Sequence, residues 1–181
     1  MNNNDRNGGA HRVAVSYSLA FLGGLVALCV SSCGPPTPSV DTMGRFHARI
    51  VNVIDGDTLV ITIASRQETV RLIGVDTPET KHPTKPVECW GPEAAQFTRS
   101  LLPKGTDVVV ERDEEARDKY GRLLMYVYRA ADNVFVNMQL IDGGWARTLS
   151  IPPNTAHESD FDAAARRAEH MHLGLWAHCP R

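Results

Sequence analysis

Residues 71–79 read Arg-Leu-Ile-Gly-Val-Asp-Thr-Pro-Glu, and this stretch constrains the chain more than any other. Leu72, Ile73 and Val75 are the apolar residues of a strand, and Pro78 cannot continue it, because proline has no N–H for the ladder. Asp76 and Thr77 therefore fall where the strand exits, beside backbone carbonyls released from pairing. Such a strand end suits a hard cation. Arg71 is then free for an oxyanion, whose geometry its planar fork matches bidentately. A second reading stands beside this one: Asp-Thr-Pro-Glu is also the pattern of a helix N-cap followed by proline. The spacing adds a geometric demand. Arg71 and Asp76 are five residues apart, which sends them to opposite faces of a regular strand. For both to serve one site the strand must bend, and Gly74 is the residue that permits it.

Other strands surround this stretch. The first covers 45–54, and Asp55-Gly56 is a tight-turn dipeptide. In 57–64, Leu59, Ile61 and Ile63 alternate with Thr58, Val60 and Thr62, the period of a half-buried strand. Ser65-Arg66-Gln67 reads as a hairpin loop into a third strand, 68–75. After a long loop over 80–90, Gly91-Pro92-Glu93 starts a helix with Ala94, Phe97 and Leu101 on one face, ended by Pro103-Lys104-Gly105. Strands over 107–112 and 122–129 flank a charged loop in which Glu111 to Glu115 reads as a solvated turn. Two more helices, 136–142 and 158–172, stop at Gly143-Gly144 and Gly174. Trp90, Trp145 and Trp176 read as packing residues. Five short strands with a helix after the third predict an α+β domain: a five-stranded Greek-key barrel of the OB type with three helices.

Residues 1–32 do not belong to that fold. Arg6 and Arg12 precede the apolar stretch 13–30, and small residues lead to Cys33, the pattern of a lipoprotein-type signal peptide. Cys33 is then the lipidation site and the mature N-terminus, and the domain sits at a bacterial cell envelope outside the cytoplasm. The competing reading is an uncleaved membrane anchor, since the run approaches the ~20 residues that span a bilayer. Residues 33–44 form a proline-rich spacer, and 45–181 form one domain. Without residues 1–32, 17 basic side chains face 20 acidic ones. A tight nonspecific nucleic-acid binder is normally basic, so any polyanion here must be held by local cations or a metal.

Three separated segments carry the chemistry: Asp55-Gly56-Asp57-Thr58, Arg71 through Glu79, and Asp118-Lys119-Tyr120-Gly121-Arg122. Each alone has a bland account as a turn or a cap. Together they resemble the staphylococcal nuclease (thermonuclease) family, down to Val-Asp-Thr-Pro-Glu-Thr-Lys-His-Pro at 75–83. Gly91-Pro92-Glu93-Ala94 and Leu175-Trp176 extend the match. The resemblance implies an OB-fold hydrolase that cuts DNA and RNA with Ca2+, acting as a monomer and preferring single-stranded or denatured substrate. It implies Asp57 and Asp76 as carboxylate ligands, with Thr77 giving its carbonyl and Asp55 behind them as a supporting acid. Glu79 would position or deprotonate the attacking water, and Arg71 and Arg122 would grip the scissile phosphate. Lys119 and Tyr120 would contact the terminal phosphate, although Tyr120 reads equally as a prop for Arg122. His82 lies in the loop after Glu79, where a surface role or approach to substrate are both open. The chain departs from the family at 148–153, Thr-Leu-Ser-Ile-Pro-Pro, where the family's type member has tyrosines that stack on a base.

Cys89 and Cys179 are the two cysteines of the domain, and an exported chain meets an oxidising compartment that favours their disulfide. Two unpaired thiols are the alternative. A bridge would pin the C-terminal tail to the loop after Glu79 and leave the catalytic residues untouched. The main rival to an enzyme is a barrel that keeps its fold and only binds nucleic acid or a protein. Its mark would be a missing ligand, base or arginine, and none is missing.

Overall fold

The computed structural model describes residues 45–81, 84 and 86–180. The expected signal segment over 1–32, Cys33, the proline-rich stretch after it and His82 lie outside the described residues. In chain order the elements are β1 (Phe46–Asp55), β2 (Thr58–Ile63), β3 (Arg66–Leu72), β4 (Gly74–Asp76), α1 (Gly91–Leu101), β5 (Asp107–Glu111) and β6 (Leu123–Arg129). They continue with β7 (Val134–Phe135), α2 (Val136–Asp142), β8 (Arg147–Leu149), α3 (Glu158–His170) and α4 (Leu175–His178).

Strands β3, β2, β1, β5 and β6 pair antiparallel in that order. A parallel pairing of Val70–Leu72 with Leu123–Met125 then joins β3 to β6 and closes the sheet. Closure removes both sheet edges, which is what defines this OB-fold barrel. The alternation seen in the sequence puts one face of each strand inside. Ile50, Val53, Leu59, Ile61, Val70, Leu72, Val108, Val110, Met125 and Val127 are all buried in a single core. Each such side chain contributes about 1.5–3 kcal/mol on burial. Phe161 and Ala164 of α3 and Leu140 and Ile141 of α2 complete it from one side.

Where the elements differ from expectation, the cause is local. The hairpin between β2 and β3 turns on two residues, Ala64 and Ser65, at φ 48° and 64°, so β3 already starts at Arg66. A two-residue hairpin asks for positive φ at both positions and usually shows Asn-Gly, a signal that Ala-Ser does not carry. The expected strand 68–75 is two strands. It breaks at Ile73, and Gly74 at φ 76° redirects the chain so that β4 pairs antiparallel with β8. Asn137 of α2 fills the break: its amide donates to the Ile73 carbonyl at 2.9 Å, and its carbonyl accepts the Val127 N–H at 2.9 Å. The three expected helices are present and α4, one turn long, is added to them.

Candidate active site

The barrel closure sets the two arginines. Arg71 is the rung partner of Leu124, and Arg122 lies two residues before Leu124 on the same chain. Residues two apart share a face of a strand, so both guanidinium groups leave the barrel on one side. They line an open cavity of about 440 Å3 together with Lys119, Tyr120, Leu149 and Ile151.

The bend at Gly74 answers the spacing problem. It carries Asp76 back to Arg71, whose Nη2 lies 3.0 Å from Asp76 Oδ1 and 3.3 Å from Asp57 Oδ2. The other nitrogen, Nη1, donates to the Leu72 carbonyl at 3.2 Å and to the Val75 carbonyl. Asp76 ends β4, and residues 77–79 have no helical structure, so the strand-exit reading holds and the N-cap reading does not.

Asp57 sits in the turn between β1 and β2 and is only 7% exposed. Its Oδ2 accepts both the N–H and the hydroxyl of Thr77 at 2.8 Å, and its Oδ1 accepts the Thr58 hydroxyl at 3.0 Å. Gly56 allows this approach, because a Cβ there would meet the Thr77 side chain at 2.7 Å. From α1, the buried Thr98 hydroxyl donates to the Gly56 carbonyl at 2.7 Å and fixes the turn. Asp55 holds the other side of the loop. Its Oδ1 accepts Gly56 N–H at 2.9 Å and the Thr80 hydroxyl at 2.8 Å. Glu79 follows Thr77 on this loop, and its Oε1 accepts the Lys81 N–H at 2.7 Å.

Arg122 is built from the opposite loop. Asp118 Oδ2 accepts its Nε at 2.6 Å, while Asp118 Oδ1 accepts the N–H groups of Tyr120 and Arg122, each at 2.9 Å. Burial by itself would raise the Asp118 carboxyl. The hydrogen bonds and charge of Arg122 outweigh it and hold the group below the ordinary carboxylate range. Tyr120 is 72% exposed, with Arg122 and Lys119 5.4 and 5.1 Å from its ring centre. The ring therefore flanks Arg122, as the prop reading expects, and Tyr120 also lines the cavity.

The donor set fits a hard cation. It is all oxygen: two carboxylates meet on one arginine nitrogen, and Thr77, whose carbonyl the resemblance implies as a further ligand, directly follows Asp76. Burial pushes the Asp76 carboxyl up, against the pull of Arg71, with the charges of Asp57 and Glu88 adding to the rise. Among the described residues no three His, Cys, Asp or Glu side chains form a metal cage, so water would complete the shell of an ion there.

Some supporting residues escaped the sequence. The loop read as solvated, 111–115, is exposed at Arg112, Glu114 and Glu115, but it is anchored as well: Asp113 Oδ2 accepts the Tyr126 hydroxyl at 2.8 Å and the Ala156 N–H at 3.1 Å. Asn154, 5% exposed, grips the Glu115 backbone twice, accepting its N–H at 2.7 Å and donating to its carbonyl at 2.9 Å. That clamp sets the Leu149–Ile151 wall against the Arg122 loop. Its partner lies 39 residues away, and no local pattern marks an asparagine of this kind. The cysteines meet as well: a disulfide joins Cys89 to Cys179, with Cα atoms 5.8 Å apart.

Against known proteins, residues 69–178 match the model of the family described as staphylococcal nuclease homologue. The thermonuclease of Staphylococcus intermedius is 41% identical over 138 residues, covering 76% of this chain and 80% of that protein. The thermonuclease of Staphylococcus hyicus is 35% identical, covering 71% and 75%. The endonuclease YncB of Bacillus subtilis (strain 168) is 37% identical, covering 71% of this chain and 63% of its own. The barrel, the kinked strand and the extent of these matches lead to one conclusion: the chain belongs to the staphylococcal nuclease family.

Proposed function

We propose that the domain is a Ca2+-dependent nuclease that hydrolyses phosphodiester bonds in DNA and RNA. The observation that carries this reading is the meeting of Asp57 and Asp76 on Arg71, at the cavity that Arg71 lines with Arg122. Asp57, Asp76 and the Thr77 carbonyl would hold the Ca2+, which when bound would supply positive charge to polarise a phosphoryl oxygen. Arg71 and Arg122, on one face of the barrel, grip the scissile phosphate. Attack of water builds negative charge on phosphorus, and fixed donors aimed at that charge are the main source of acceleration. Glu79 orients the water and takes its proton, and the departing alkoxide, at the open cavity, is protonated from solvent. Lys119 and Tyr120 extend the grip to a neighbouring phosphate.

Leu149 and Ile151 line the cavity in the stretch where the family resemblance leads one to expect base-stacking tyrosines, so a base would meet aliphatic rather than aromatic surface. Stacking is worth ~1–3 kcal/mol per base, so short nucleotides bind more weakly than in a tyrosine-bearing relative. In this proposal the enzyme is a monomer held at the bacterial envelope by a lipid on Cys33, and an oxidising compartment accords with the Cys89–Cys179 bridge. The test is digestion of denatured DNA and of RNA by the purified chain, with Ca2+ and then with a chelator. Release of short products that stops on chelation is expected; intact substrate in both conditions overturns the reading.

A further inference from the structure

Asp76 ends β4 and Asp57 sits in the tight turn between β1 and β2, but Glu79 is borne on a segment without regular structure. Something must hold it. Its carboxylate accepts from Lys81 N–H, and both of its backbone groups are bonded to one residue, Glu88. The Glu79 N–H donates to Glu88 Oε2 at 3.1 Å, and the Glu88 N–H donates to the Glu79 carbonyl at 2.9 Å. The pair is reciprocal, and it closes the loop between them.

Glu88 is anchored on its far side. Its carbonyl accepts the Gly91 N–H at 3.1 Å, where α1 begins. The next residue is Cys89, bridged to Cys179. The one after, Trp90, stacks on His178 with ring centres 4.2 Å apart and on Trp145 at 5.9 Å. Gly91 itself presses on the loop: a Cβ there would lie 2.8 Å from Thr80 Cγ2 and 2.9 Å from the Pro78 carbonyl. Three devices thus converge on the residues following Glu88, and the Glu88–Glu79 pair links them to the water-handling carboxylate.

We propose that Glu88 is a positioning residue for Glu79, carrying the rigidity of α1 and of the Cys89–Cys179 bridge into the active site. The bridge was expected to leave the catalytic residues untouched; through Glu88 it bears on Glu79. The inference rests on the nuclease reading for the role of Glu79, and its test separates the two.

The test compares the full chain as wild type, Glu88→Ala and Glu88→Gln, with the bridge intact. Glutamine keeps an acceptor oxygen for the Glu79 N–H while losing the charge; alanine keeps neither. A misplacement of about 1 Å can cost ~10²-fold, so Glu88→Ala should lose roughly 10- to 100-fold in kcat on denatured DNA. KM should change by less than about threefold, because substrate binding is not what the pair supports. Glu88→Gln should recover most of kcat, and the melting temperature of both should stay near wild type. Amide hydrogen exchange gives a readout free of activity: Glu79 N–H should exchange at least about tenfold faster in Glu88→Ala and not in Glu88→Gln. Wild-type kcat in Glu88→Ala, a glutamine variant as slow as alanine, or lost kcat with unchanged exchange would each overturn the proposal. If the wild type fails to cut nucleic acid, the nuclease reading falls, and exchange at Glu79 alone decides the brace.

Discussion

Arg122 shows how one carboxylate can shape an active-site cation. Asp118 occupies its Nε, and among the described residues its two Nη nitrogens have no partner, so they are the ones presented to an oxyanion. Removing a preorganised donor of this kind typically costs ~10²–10³ in rate, so Arg122→Ala should lose that much kcat while melting near wild type. Glu79→Gln should lose as much, and an activity loss that merely follows unfolding would refute both roles. Asp118→Asn should retain the turn but loosen Arg122, giving a smaller kcat loss than Arg122→Ala. The same pair has a pH signature. Because the folded Asp118 carboxyl lies below its ordinary range, the native state binds fewer protons than the unfolded state there. Its stabilisation is complete above about pH 4, the ordinary value, and is lost as pH falls through the lower folded one. Urea unfolding should therefore show wild type losing more stability than Asp118→Asn as pH falls from about 4 to 2. Parallel curves would mean that the pair contributes nothing to the fold.

The kink between β3 and β4 is the element on which the site depends. Gly74 has φ 76°, and a Cβ there would meet the Phe161 ring at 2.4 Å. Backbone strain at such a position costs of order 1–3 kcal/mol, and overpacking a core adds a similar amount, so Gly74→Ala should destabilise strongly. On the proposed reading it should also weaken Ca2+ binding, because Asp76 follows two residues later; unaltered stability and Ca2+ affinity would contradict this account. Asn137→Ala strips partners from the Ile73 carbonyl and Val127 N–H, and each orphaned buried group costs about 1–3 kcal/mol. The bend itself could be read from the sequence, since an odd spacing puts Arg71 and Asp76 on opposite faces of a regular strand and both had to reach one site. The barrel strands could be read too, from the alternation of Leu59 and Ile61 and from the break at Pro78. Asn137 could not: its partner Ile73 is 64 residues away, and an asparagine inside a helix carries no mark of what it will cap. β8 is three residues long, too short for periodicity to register, and its existence follows only from β4 needing a partner. Glu88 and Asn154 belong to the same class. Each holds a backbone across a loop, a task that local propensity does not encode.

At the scale of the molecule, the Cys89–Cys179 bridge ties the segment before α1 to the end of the chain across 90 residues. It is not the only thing that docks that end. Leu175 is buried, its N–H donates to the Gly144 carbonyl at 2.8 Å, and Trp90 stacks on His178. Loss of the bridge should therefore leave the folded chain in place and act mainly on the unfolded state, which gains freedom when the long loop opens. The chain-entropy model gives about 4.5 kcal/mol for a loop of this length. Cys89→Ser with Cys179→Ser should lower the melting temperature by on the order of 10 °C, given roughly 2–4 °C per kcal/mol for chains of this size or somewhat larger. The urea m-value should rise, because an unbridged unfolded chain exposes more surface. These two readouts separate an entropic cross-link from a brace of the folded state, whose removal would lower the melting temperature with m unchanged. A double variant that melts with the wild type would show that the bridge contributes no stability.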